Sequence, residues 1–405
     1  MKKVLFGTTA LVAASIVGSV AQAAEPIKLS VGGMMQQYFA IYDREENPIA
    51  AAGLVNQEWT HASIASDTEV HFKGATTLDN GLKVAVVIEL EAERTATSTS
   101  RNADQQYVTL SGGWGQVRVG EMLNAATVVH NQAPVAGASM ADIAQGVFGN
   151  FSTNGTAASG TAAGTLSNGQ SVTGLVNYIT SVDGVNNAGR GSAAIDYISP
   201  MFGPFAFGIT YTPRAFGRGP ANEGATSKDL LGAALVYADK WGPVGIKTDV
   251  AYARFEELES TTQAGMAHAV PVGATISYAG FDLGGSYIRI LDNVKSTDNA
   301  TAATSLDGNA WDVGVAYTTG PWKFGYAFYR SSLEGTGGAG GAAGKGKDKI
   351  SMHNIGGQYT MGPGVVATLN YAYEQMSDED ASTARQVETR KRVTQGLVTG
   401  LKLTF

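Results

Sequence analysis

From Leu82 to Glu91 the chain alternates strictly: Leu82, Val84, Val86, Ile88 and Leu90 fall on one side of an extended strand, and Lys83, Ala85, Val87, Glu89 and Glu91 on the other. The same period of two sets Phe205, Phe207, Ile209 and Tyr211 against Ala206, Gly208 and Thr210, and Val244, Ile246, Val250 and Tyr252 against Lys247 and Asp249. In the final segment Leu397, Leu401 and Leu403 face one way and Val398, Gly400 and Lys402 the other, before the chain stops on Phe405. A helix repeats every 3.6 residues and a strand every two, so these segments are predicted strands. In a soluble sandwich the apolar face would meet a second sheet. Here the opposite face is too polar and too rich in glycine, over too many strands, to form a dry interior, so the apolar side suits hydrocarbon and the other water.

The punctuation between strands is equally regular. Short turns are predicted at Asp79-Asn80-Gly81, Gly112–Gly115, Pro200–Pro204, Lys240–Pro243, Ala279-Gly280, Gly320-Pro321 and Gly362–Gly364, where glycine supplies positive backbone angles and proline stays off the strand interiors. Longer connections are placed near 43–62, 95–103, 122–189, 214–227, 256–265, 292–307, 333–348 and 377–390. Seven short turns and eight long loops require sixteen strands with both termini on the short-turn side. The fold class is therefore all-β: a transmembrane antiparallel β-barrel of sixteen strands.

Residues 1–23 carry Lys2 and Lys3, an apolar stretch from Val4 to Val20 and Ala21-Gln22-Ala23, the pattern of a cleaved signal peptide. The stretch is interrupted by Gly7, Ser15, Gly18 and Ser19 and is short of the ~20 apolar residues a spanning helix needs. An exported chain without cysteine has neither a disulfide scaffold nor a thiolate metal site. Without Lys2 and Lys3 the chain has 26 basic against 35 acidic residues, which argues against a nucleic-acid partner. No linker or compositional shift divides residues 24–405, which read as a single domain. Aromatic residues cluster where strands meet turns, and Trp114, Trp241 and Trp322 all sit at short turns on one rim, the girdle expected of rings at headgroup depth.

The run Tyr107-Val108-Thr109-Leu110-Ser111-Gly112-Gly113-Trp114-Gly115-Gln116-Val117-Arg118-Val119-Gly120, the segment Tyr197-Ile198-Ser199-Pro200 and the terminal Phe405 resemble the general diffusion porins of Gram-negative bacteria. The resemblance covers the whole mature chain. It implies a homotrimer of sixteen-stranded barrels in the cell outer membrane, with outer-membrane lipids around it and the long third loop folded into each lumen as a constriction. It also implies that Phe405 serves as an assembly signal for the barrel-assembly machinery.

That third loop, residues 122–189, is far longer than the ~12–15 residues beyond which a structureless connection is uncommon unless functional. Asn, Ala, Gly, Ser and Thr dominate it, Asp142 and Asp183 are its only acids, and it has His130 but no Lys or Arg. Selectivity in a pore comes from the charges lining it. Alternation assigns Asp67, Glu69, His71 and Lys73, then Lys83, Glu89 and Glu91, then Gln116 and Arg118, then Asp196 to the lumen. Asp142 is the acid available in the loop. The porins that this chain resembles usually place a basic residue where it has Glu121, and often one where it has Asp196, so those two carboxylates predict a mild preference for cations.

Enzymatic readings are weak. Gly335–Gly340 fits a dinucleotide-binding spacing and Gly341–Lys347 part of a phosphate loop, but both fall in a glycine-rich hairpin loop without the strand and helix such sites need. The five histidines are scattered and no G-x-S-x-G elbow is present. No catalytic residue, cofactor or metal centre is expected, although the acidic loop Glu374–Asp380 has the oxygen donors for weak binding of a divalent cation. The sequence is read as a passive pore for small hydrophilic solutes and ions. The alternatives are a channel tuned to one solute class and, less favoured, an outer-membrane hydrolase on the same fold.

Overall fold

The computed structural model describes residues 26–46, 60–92, 103–148, 193–214, 228–260, 263–292, 295–296, 308–334, 347–378 and 390–405. They form β1 (Lys28–Glu46), β2 (Ala62–Thr77), β3 (Lys83–Glu91), β4 (Ala103–Gly112), β5 (Gly115–Glu121), β6 (Ala193–Ile198), β7 (Phe205–Arg214), β8 (Lys228–Trp241) and β9 (Val244–Ser260). There follow β10 (Gln263–Tyr278), β11 (Phe281–Asp292), β12 (Lys295–Ser296), β13 (Gly308–Thr319), β14 (Trp322–Glu334), β15 (Lys347–Gly362), β16 (Val365–Asp378) and β17 (Arg390–Thr404). Apart from the two-residue β12, which pairs with β10, these are sixteen antiparallel strands in a closed barrel, each beside its neighbour in sequence. Residues 1–23, read from the sequence as a signal peptide, and loop residues 149–189 lie outside the described residues.

Closure runs through the two ends of the chain. β1 pairs with β17 from Met34 opposite Thr404 to Glu46 opposite Arg392, and Gly33 and Phe405 exchange both backbone hydrogen bonds, at 2.9 and 3.1 Å. All seven short turns lie where the sequence places them. Seven of their glycines have positive φ, among them Gly320 at 54° and Gly364 at 73°. Two predicted loops differ: for 256–265 the structure continues β9 to Ser260 and starts β10 at Gln263, and within 292–307 it places β12.

The outward faces are apolar, as Ile88, Leu110, Val119, Ile209, Leu283, Val313 and Leu369 show by their exposure. At the short-turn rim Trp114 stacks on Tyr197 at 6.3 Å, Trp241 donates its indole N–H to the Tyr237 hydroxyl at 2.9 Å, and Trp322 packs on Tyr359 at 4.5 Å. The interior differs from expectation in one respect. Ile288, Ile290, Tyr329, Ile350 and Met352 sit on inward-facing positions and bury themselves around Ile143, Val147 and Phe148, so part of the lumen is dry.

Candidate functional site

The segment after β5 stays inside the barrel as far as it is described, residues 122–148. Asn124 caps a five-residue helix, α1 (Ala125–Val129), by accepting from the Thr127 amide. The Ala125 amide donates to Thr210 Oγ1 on β7 at 2.9 Å, and His130 and Asn131 both bond Asp249 on β9. The Ala133 amide donates to Asp312 on β13 at 2.9 Å, Gly137 to Gln358 on β15 and Ala138 to Asn370 on β16. A π-helical turn, Asp142–Val147, follows. Tyr38 on β1 meets Asp142 at 3.2 Å, Ser63 on β2 donates to the Val147 carbonyl, and Arg44 on β1 donates to the Phe148 carbonyl. The segment is a belt that follows the inner wall from β7 round to β2.

The wall is shaped to receive it. Gly284 and Gly314 stand directly opposite each other, as do Gly325 and Gly356, all on inward-facing positions. A Cβ at Gly314 would fall 2.7 Å from the Pro134 carbonyl oxygen and 3.1 Å from Ala133 Cβ, and one at Gly325 would lie 3.1 Å from the Ala136 nitrogen. Gly273 and Gly356 have the Asn131 and Ala136 carbonyls against them more closely still. Glycine gives the belt a floor, and Thr210, Asp249, Asp312 and Asn370 rise between the glycines to take its buried amides.

The charged residues that alternation assigns to the lumen gather on β2 to β6. On β2 Asp67, Glu69, His71 and Lys73 face inward, with Glu69 bonded to His71 at 2.7 Å. On β3 Glu89 lies opposite His71 and accepts from Gln105 at 2.6 Å; Glu91 lies opposite Glu69, and Lys83 lies at the strand's lower end. A hydrogen-bond chain ties the belt to this wall. The Tyr38 hydroxyl lies 2.9 Å from Gln36 Oε1 and 3.2 Å from Asp142, and Gln36 Nε2 donates to Asp67 at 3.0 Å.

Arg118 and Asp196 face each other across β5 and β6. Arg118 Nε donates to both Asp196 oxygens at 3.0 and 3.1 Å and its Nη2 to Oδ2, while Nη2 also donates to the Leu123 carbonyl at 3.0 Å. Each neutralises the other, and both are buried. Glu121 stands apart from this set. It is opposite Gln106, which donates to it at 2.9 Å, and it is buried, directly after Gly120 with its φ of 143°.

The sequence profile of the Gram-negative porin family matches residues 7–379. This chain belongs to the Gram-negative porin family. Its structure is similar to an anion-selective porin from Comamonas acidovorans, at TM-score 0.57 and 16% identity, covering 94% of this chain and 100% of that one. It is also similar to a loop L8 deletion mutant of the Vibrio cholerae outer membrane protein OmpT, at TM-score 0.57 and 11% identity over 95% and 100% of the two chains. For Salmonella typhi OmpF complexed with daunomycin the TM-score is 0.55 at 14% identity, over 94% and 98%. At such identities the likeness is one of fold. No curated protein matches the chain.

The porin is thus an integral protein of the outer membrane, a channel through which small hydrophilic solutes and ions diffuse passively. Sequence reasoning placed Asp67, Glu69, Lys73, Lys83, Glu89, Arg118 and Asp196 on one face, and the structure gathers them on the inward side of β2 to β6. It did not see the Arg118–Asp196 pairing, the glycine floor or Asn370, although the inward glycines were visible in the alternation. It assigned Glu69, His71 and Glu89 to the lumen but not their clustering: their donor atoms lie within 4.8 Å of one another, as do those of Asp67, Glu69 and Glu91. These are oxygen and nitrogen donors of the kind a divalent cation takes. Glu69, Glu89 and Asp67 also have protein partners in their present positions.

Proposed function

We propose that the belt and the acidic quadrant it faces form the narrowest part of this porin, and that the channel is a general diffusion pore with a mild preference for cations. The observation that carries the reading is the chain from Asp142 through Tyr38 and Gln36 to Asp67, which adds the loop's acid to Asp67, Glu69, Glu89 and Glu91. Acidic groups at a narrow point favour cations through the low-dielectric wall. Lys73 and Lys83 oppose them from lower positions. The preference rests on this quadrant and not on Glu121, which is buried and accepts from Gln106, or Asp196, which Arg118 neutralises. Transport needs no catalytic step and no cofactor.

The rest of the reading concerns biogenesis. Residues 1–23 are removed on export, Phe405 marks the chain for the barrel-assembly machinery, and three copies associate in the lipid; a trimer form of Vibrio cholerae OmpT is among the similar structures. Reversal potential under a salt gradient tests the selectivity, and the double change Glu69→Gln with Glu89→Gln should move it toward anions. A wild-type channel selective for anions overturns the preference. The belt's position is tested separately in this cysteine-free chain by the pair Ala136→Cys and Gly325→Cys, whose Cβ atoms would lie 3.2 Å apart. A disulfide between them supports the belt, and failure to form one in a folded barrel overturns it.

A further inference from the structure

Below the belt, the inward positions nearest the short-turn rim carry one sign of charge. Lys28, Lys73, Lys83, Lys247, Lys323 and Lys402 all lie on lumen-facing positions within four residues of an end of their strands at that rim. Asp282 is the acid among the described inward residues of that zone, apart from Asp196, which Arg118 neutralises. The chain as a whole has 35 acidic against 28 basic residues, so this bias does not follow from composition. It is not the work of residues reaching for lipid headgroups either. Lys323 lies between Trp322 and Phe324, and Lys402 between Leu401 and Leu403, and in each case the flanking residues point outward while the lysine points in. Lys73, Lys323 and Lys402 make no ion pair among the described residues.

We propose that this lysine collar is a binding vestibule for multivalent anions at the periplasmic mouth, and that it makes the pore sided. The lysines stand on β1, β2, β3, β9, β14 and β17, spread round the mouth, so a solute entering it meets their summed positive field. That field acts in proportion to the solute's charge, so a compact polyanion is held more strongly than a monovalent anion. Short turns face the periplasm in outer-membrane barrels, so the collar meets solutes arriving from that side, while those from outside meet the acidic quadrant first. The collar rests on strand register alone and stands whether or not the belt sets the aperture.

The test uses the full channel in a planar bilayer, with inorganic tripolyphosphate added to one side at a time. Orientation is fixed by a one-sided thiol reagent acting on Asn80→Cys, in a short turn of a chain that has no other cysteine. Block from the short-turn side is expected at a concentration at least tenfold lower than from the loop side. In the triple variant Lys73→Gln, Lys323→Gln, Lys402→Gln the two sides should become equal. Equal potency in the parent channel, or an unchanged difference in the triple variant, overturns the proposal. Monovalent reversal potential reads the acidic quadrant independently, so the two readings fail separately.

Discussion

Asn370 holds the middle of the belt with a single side chain. Its Oδ1 accepts the Ala138 amide at 2.9 Å, and its Nδ2 donates to the Ala136 carbonyl at 3.0 Å and to Asn354 Oδ1 at 2.8 Å, with only 1% of its surface exposed. Asn370→Ala strands the Ala138 amide, while the Ala138 carbonyl keeps Asn354 Nδ2 at 3.1 Å. The Ala136 carbonyl and Asn354 Oδ1 lose a donor as well. Each stranded buried group costs about 1–3 kcal/mol, and lumen water recovers part of it, so about 3 kcal/mol is removed from the seating of residues 136–138. A change of 1.4 kcal/mol is tenfold in an equilibrium constant, so the local opening equilibrium should rise by roughly a hundredfold. Amide hydrogen exchange measured residue by residue reads this directly. Exchange should accelerate at Gly137 and Ala138 and stay unchanged at Ala125 and Ala133, which are held by Thr210 and Asp312. Uniform acceleration along the belt would show that it lifts as one body, and no acceleration at Ala138 would show that Asn370 does not hold it.

Valine at Gly314 lies under the belt and should push it toward the axis, lowering single-channel conductance more than valine at the inward Gly232, which has only Thr210 Cβ near it at 3.9 Å. Asp196→Ala leaves Arg118 charged and without its carboxylate, at a cost of about 3–5 kcal/mol in urea unfolding; the double change with Arg118→Met should recover most of it, and additive losses would refute the coupling. Arginine at outward Ile88 or Leu110 should cost about 2–4 kcal/mol if the site is at the bilayer midplane, whereas arginine at Ala85, on the opposite face, should leave the same unfolding curve nearly unmoved. Deleting Phe405 removes the Gly33 exchange and a ring packed against Gly33, so the yield of folded barrel in a refolding assay should fall while the conductance of what folds is unchanged.

The barrel was legible in the sequence because the bilayer enforces the period of two: an outward polar residue at mid-depth is penalised, so alternation survives in β3, β7 and β17. The loop misplaced at 256–265 shows where that constraint ends. There the apolar alternation of the sequence stops at Glu256-Glu257, and the backbone ladder of β9 and β10 continues without it. Ile288, Ile290, Ile350 and Met352 were unexpected for a related reason, since alternation says which residues face inward but not what the loop brings to meet them. The inward charges of β2 and β3 were found by parity alone. Glu121 was taken from its position in the family pattern; parity would have set it beside the exposed Val119, yet it is buried, directly after Gly120 with its φ of 143°. The pairing of Arg118 with Asp196 depends on the register of strands on either side of a long loop, which no local pattern specifies.

The seam between β1 and β17 makes the barrel an object without partial forms. Export delivers β1 first, yet its outer backbone groups find partners only when residues 392–405 have followed. Until then a chain with nearly every strand present has two unpaired edges, each a template for another chain. Removing β17 would therefore not yield a slightly smaller pore. It would leave an open, adhesive sheet, so premature stops close to the end should behave as severely as early ones.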